Sequence, residues 1–332
     1  MELTDNIIEL NRDVEPFIIQ GASPRPAPIR KGLGDKFVPL QFVHFSDVHS
    51  VIDLWNRVVE YVNYYKDYIS FAIHTGDYCG GYQEIYADCY TYGTKCVRPI
   101  LNCVGNHDIV TTPKWIRNDK ESAHKLLFNH LPEFGAKFFD CEHSMTYYKD
   151  FPSSNIRLIV LDLYFDIEIQ CEWFKEILAD AKEKGLCVIT AMHEPSDNIK
   201  NTYDVTFHTP NDYDAVTGGC IRQPFEPIIV DFIKNGGCHI CNLVGHVHHD
   251  LFGLTEAGVL NIAVPCATDW AGWCDANRVK GTRTYDCFNV MSVDTELGIL
   301  KIVRVGDNAD NFLRQKRVLS FDYINKKVIF NG

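Results

Sequence analysis

Five short apolar runs end on residues of the kind that bind metals, and stretches of helical spacing lie among them. Residues 41–45 lead to Asp47 and His49, residues 70–74 to Gly76-Asp77, and residues 99–104 to Gly105-Asn106-His107-Asp108. Residues 186–192 precede His193, and residues 238–244 precede Gly245-His246-Val247-His248. Apolar runs of that length suit strands buried on both faces. Leu54, Val58, Val62, Tyr65 and Ile69 predict a helix after a capping box at Ser50-Val51-Ile52-Asp53. Ile169, Trp173, Ile177, Leu178 and Ala181 predict another, closed by Gly185. Residues 224–234 predict a third, with Gly236 and Gly237 past its end. Strands and helices in this order make an α/β fold. Open α/β sheets place their chemistry beyond the carboxyl ends of the strands, where these clusters fall.

Residues 1–40 read as an N-terminal extension, with a proline-rich stretch from Gly21 to Pro28 that has no core of its own. Residues 41–332 form the body. A hairpin around residues 151–155 leads into a long apolar strand at 156–165. Further strands are expected at 250–254, 259–264, 288–293 and 300–305. The segments 78–98, 109–145, 195–223 and 266–286 are long for connections in a compact domain, and segments of that kind often wall or cover a site.

The formal net charge is -12. An acidic balance argues against binding of nucleic-acid polymers, whose backbone needs a basic footprint. No apolar run is long enough to span a bilayer, and Met1-Glu2-Leu3-Thr4-Asp5 lacks the positive region and apolar stretch by which a signal peptide is expected to start. The 13 cysteines are odd in number and scattered, which fits reduced thiols and a cytoplasmic protein. Cys238-His239-Ile240-Cys241 is a CxxC inside a strand, where side chains three apart point to opposite faces; it reads as core cysteines.

Together the clusters supply two carboxylates, an amide oxygen and four imidazoles, a set suited to a pair of divalent transition metals. An Asp and a His two apart in a turn can share one cation. His246 and His248 can diverge to two, and a carboxylate on another strand, Asp77, can bridge them. Gly76, Gly105 and Gly245 let the backbone turn sharply beside the ligands.

These blocks resemble the signature of the calcineurin-like metallophosphoesterases: Asp-x-His, Gly-Asp, Gly-Asn-His-(Asp/Glu), a lone His, then Gly-His-x-His. All five stand in order over residues 41–305. The resemblance implies a four-layer sandwich of two mixed β-sheets flanked by helices, with two metals (manganese, iron or zinc) at the sheet edges. It implies that Asp47, His49 and His248 hold one metal, that Asn106, His193 and His246 hold the other, and that Asp77 bridges both. His107 would contact the phosphate and help protonate the leaving oxygen, with Asp108 orienting it. The implied reaction is hydrolysis of a phosphate monoester or diester in a small substrate, by in-line attack of a metal-bridging hydroxide. Two divalent ions, two carboxylates and a hydroxide sum to roughly +1, so an anionic ester is attracted despite the acidic chain. The chain departs from two branches. Gly80 stands where purple acid phosphatases carry a tyrosine, and Tyr78-Cys79 stands where protein Ser/Thr phosphatases carry Asp-Arg.

The alternative is a metal-binding interaction scaffold of the same fold with little catalysis. Such scaffolds usually lose ligand histidines, and this chain has the full set. His44 and His74 lie within strands and read as core residues. Tyr78, Tyr82, Tyr86 and Tyr90 read as a packed stripe, and Trp270 and Trp273 as a pair that either packs or stacks on a flat leaving group. His249 is a possible extra contact, and Lys114, Arg222 and Arg278 read as solvated charges.

Overall fold

The computed structural model describes residues 6–25, 37–78, 95–111, 116–117, 120–196, 199–202, 224–248, 250–266, 278–306 and 317–332. Two mixed sheets face each other. The first has the order β17-β16-β15-β14-β1-β2-β3. Its members are β1 (Leu40–Phe45), β2 (Phe71–His74), β3 (Ile100–Asn102), β14 (Cys287–Asp294), β15 (Ile299–Gly306), β16 (Val318–Asp322) and β17 (Lys327–Asn331). The second has the order β10-β12-β13-β11-β9-β8-β7-β6. It comprises β6 (Lys137–Phe138), β7 (Tyr147–Phe151), β8 (Ile156–Val160), β9 (Cys187–Ala191), β10 (Ile199–Thr202), β11 (His239–Val244), β12 (Leu251–Thr255) and β13 (Leu260–Ala263). A small hairpin joins β4 (Val110–Thr111) to β5 (Ile116–Arg117).

The parallel strands position the site. β1, β2 and β3 run together in one sheet, and β8, β9, β11 and β13 run together in the other. Their carboxyl ends therefore share one side of each sheet. β1, β2, β3 and β11 are buried along their whole length, as continuous apolar runs predict. The core between the sheets is closed by pairs such as Phe252 with Phe321 and Phe71 with Phe151. Outside the first sheet lies the helix Ile52–Tyr64, whose Tyr61 meets Phe288 edge-on. Outside the second lie the helices Ile167–Glu183 and Glu226–Lys234, joined by Phe174 against Phe225. Among the described residues, no helix is long and apolar enough to cross a membrane.

Several local expectations need correction. The helix Ile52–Tyr64 has no side-chain cap. Ser50 takes a positive φ and gives its N–H to the Tyr78 carbonyl, while Asp53 accepts from Tyr285 and Lys280 instead. Tyr65 and Ile69 are buried beyond the helix end. The long strand expected at 156–165 stops at Val160. Beyond it the Asp162 N–H turns to Thr146 and Gln170, and the Asp162 carboxylate caps the Tyr164 N–H. In the CxxC, Cys241 is in the core, whereas Cys238, one residue before β11 begins, is half-buried and packs against the core from its margin.

The N-terminal segment packs on the outer side of the first sheet. Asn6 caps a short helix, Ile7–Leu10, by accepting from the Ile8 and Glu9 N–H groups. Ile7, Ile8, Val14 and Ile18 join the core.

Candidate metal centre

Each predicted cluster stands where a parallel strand ends. Asp47, His49, Asp77, His246 and His248 all adopt positive φ. The chain thus leaves the strand in a tight left-handed turn that aims alternate side chains at one point. Asp and His accept that conformation better than most residues, though at a cost. Backbone bonds lock the turns to each other: the Asp47 N–H to the Gly76 carbonyl, His49 N–H to Asp77, and Gly245 N–H to His193.

The side chains converge in two groups. Asp47, His49, Asp77 and His248 offer ligand atoms that all lie within 4.8 Å of one another, and so do Asp77, His193 and His246. Asp77 belongs to both. In the first group, the Nε2 atoms of His49 and His248 are 3.1 Å apart. His248 Nε2 is 3.3 Å from Asp47 Oδ1, and His49 Nε2 is 3.7 Å from Asp77 Oδ2. In the second, Asn106 Oδ1 stands 3.1 Å from both His193 Nε2 and His246 Nδ1. His193 Nε2 is 3.2 Å from Asp77 Oδ2. His193 donates from Nδ1 to the Thr75 carbonyl at 2.7 Å, which fixes the ring and turns Nε2 to the site.

Buried imidazole nitrogens facing one another at 3.1 Å, with carboxylates beside them, have the spacing of ligands around a shared cation. The donor set, nitrogen with a few oxygens, fits divalent transition metals. Burial raises the Asp77 carboxyl, but the facing His193, His49 and His107 outweigh it and hold Asp77 well below its usual range. Asp47 is likewise held low against burial by His248. Burial opposes charge on His193 and His248, yet Asp77 lifts the first to about 10 and Asp47 the second to about 11. Burial dominates at His49 and pushes it down to about 4.

His107 sits beside the first group, its ring edge-on to His49 at 4.9 Å, and its N–H bonds Asp77 Oδ1 at 2.9 Å. Asp108 is fully buried. Its carboxylate accepts from the backbone N–H groups of Asp77, Tyr78 and Gly105 at 2.7–2.9 Å. These bonds brace the turn that carries Asp77.

Two neighbours carry no motif. Glu194 is buried, accepts from the Tyr164 hydroxyl at 3.0 Å, and pulls electrostatically on His246. Cys266 is buried beside His49 and His248. The only signal for either lay in its position: Glu194 follows a ligand-type residue, and Cys266 closes an apolar run. Arg278 is not a solvated charge, because its guanidinium bonds the carbonyls of Cys266 and Tyr285. His44 and His74 are core residues as expected, fully buried, with burial pushing each down to about 3. Tyr78 packs against Trp55 and His74. Tyr82, Tyr86, Tyr90, Lys114, Arg222, His249, Trp270 and Trp273 lie outside the described residues.

The sequence profile of the calcineurin-like phosphoesterase family matches residues 40–250. No curated protein matches the chain. Among solved structures, a dimetal phosphatase from Danio rerio superimposes with a TM-score of 0.55 at 12% identity, covering 81% of this chain and 97% of its own. A purple acid phosphatase from yellow lupin (Lupinus luteus) seeds gives a TM-score of 0.49 at 14% identity, covering 88% of this chain and 53% of its own. The chain belongs to the calcineurin-like phosphoesterase family and is a hydrolase of phosphate esters.

Proposed function

We propose that this protein is a binuclear metal-dependent phosphoesterase acting on a phosphate monoester or diester in a small substrate. The observation that carries the reading is Asp77, which stands in both ligand groups at once. Asp47, His49 and His248 would hold one ion, Asn106, His193 and His246 the other, with Asp77 common to both. When bound, two divalent ions such as manganese, iron or zinc supply the charge that draws an anionic ester and the acidity that makes water nucleophilic near neutral pH. His107, beside the first group and anchored through its backbone N–H to Asp77, would hydrogen-bond a phosphoryl oxygen and carry a proton toward the leaving oxygen. Asp108, expected to orient His107, would act on it indirectly, since its carboxylate bonds the backbone N–H groups of Asp77, Tyr78 and Gly105. The nine described cysteines are free thiols, which suits a cytoplasmic setting.

The test uses manganese-loaded protein with a chromogenic phosphate monoester and the matching diester. Turnover of at least one is expected, and the preferred one sets the substrate class. Asp77→Asn should lose two-metal occupancy and turnover together. His107→Ala should slow turnover by about 10²- to 10⁴-fold, as loss of a general acid does, with both metals retained. Full activity in Asp77→Asn would sink the site assignment. Two bound metals without turnover of any ester would favour the scaffold alternative.

A further inference from the structure

β13 runs parallel to β11, so its carboxyl end reaches the same sheet edge as His246 and His248. Cys266 lies there, fully buried. Its surroundings are not those of a packing thiol, which would meet carbon atoms. Its Sγ donates to the Asp47 carbonyl at 3.0 Å. The Sγ and the ring nitrogens of His49 and His248 all lie within 4.8 Å of one another. Those are the two imidazoles whose Nε2 atoms approach to 3.1 Å. The Cys266 backbone is fixed as well, its N–H bonded to the His248 carbonyl and its carbonyl to the Arg278 guanidinium.

We infer that Cys266 Sγ is a protein ligand of the first metal position, beside His49 and His248, the metal displacing to solvent the proton that the thiol now donates to the Asp47 carbonyl. This rests on the binuclear reading above and goes beyond it, because it makes the two positions chemically different. The second position has only nitrogen and oxygen donors: His193, His246, Asn106 and Asp77. At the first, a soft sulfur joins His49 and His248, in a set that does not include the Asp47 or Asp77 carboxylate. Thiolate favours zinc over manganese, whereas imidazole and carboxylate discriminate less. The centre therefore takes two unlike ions when both are on offer, zinc at the first position and a harder ion at the second.

The test loads the 332-residue chain with two equivalents of cobalt(II) and records its absorption. A sulfur-to-cobalt charge-transfer band in the near ultraviolet is expected. It should vanish in Cys266→Ser while elemental analysis still finds two ions. Zinc should also lose at least about tenfold of its advantage over manganese in that variant, since removing even an outer partner of a ligand costs that much. Should Cys266→Ser fail to fold, X-ray absorption of the zinc-loaded wild type decides: a scattering path at about 2.3 Å supports sulfur ligation. Two bound ions with no charge-transfer band, or a band that survives Cys266→Ser, would overturn the inference and leave the binuclear reading standing. A wild type that binds no cobalt overturns both.

Discussion

Left-handed backbone at a residue with a side chain costs about 1–2 kcal/mol, and this site carries it at Asp47, His49, Asp77, His246 and His248. The surrounding hydrogen bonds must over-determine those turns. Asp108 does much of that, since its carboxylate joins the backbone of Asp77, Tyr78 and Gly105. Gly105 shows how little room is left: a Cβ there would overlap the Asp77 carboxylate and backbone nitrogen. Backbone cannot yield as a flexible side-chain tip can, so Gly105→Ala must displace Asp77. We expect manganese affinity in Gly105→Ala to fall by more than about tenfold, measured by equilibrium dialysis, with the fold retained. Wild-type affinity in that variant would mean that Asp77 is not held by this turn. At this scale the sequence was legible where chemistry recurs in fixed order, as in Asp47-x-His49 and His246-x-His248. It was not legible for Cys266 or Glu194. Their neighbours come from distant strands, and no local spacing records that approach.

Most elements were readable in proportion to their burial; β16 is the exception, a buried strand at Val318–Asp322 where none was expected. The strands that lead to the site are buried throughout, so their apolar runs stand out even without alternation. β6, β7, β10 and β17 are short or half-exposed and gave no such run. The helix Ile167–Glu183 was found, but its inward face was set slightly off. Ile169 is 63% exposed, whereas Gln170, Phe174, Leu178 and Ala181 are buried. Trp173 and Ile177 form the partly buried flank. The reason is polar: Gln170 is drawn inward to bond the backbone of Asp162 and Phe165, and apolarity alone would have turned it out. Phe174 is then the anchor of this layer, edge-on to Phe225 at 5.8 Å. Phe174→Ala should cost about 3–5 kcal/mol in urea unfolding. Ile169→Ala should stay within about 0.5 kcal/mol. Equal costs for the two would contradict this face.

The whole molecule is tied together by its first residues, which sequence reading could separate from the body but not place. Ile7, Ile8, Val14 and Ile18 are too few and too interrupted to show a period, yet all are in the core. Polar groups bind the segment to the first sheet. Asn11 accepts from the Gly306 N–H and the Arg317 guanidinium, and Gln41 donates to the Ile18 carbonyl. Lys301 on β15 donates from Nζ to the Phe17 carbonyl at 2.6 Å. It is fully buried, and burial pushes its pKa down to about 7. In the unfolded chain the same amine titrates near its usual value of about 10.4. Between those values the unfolded state binds a proton that the folded state does not, so stability rises with pH across that window and is lowest below it. A full difference of one proton is worth about 1.4 kcal/mol per pH unit, and the bond to Phe17 moderates it. The wild type should therefore gain about 1–2 kcal/mol between pH 7 and 9 relative to Lys301→Met, read from urea midpoints. Comparison with the variant cancels the thiols and histidines that titrate nearby in pH. If both proteins follow the same pH profile, Lys301 is charged in the folded state, and the N-terminal segment is held by an ammonium group.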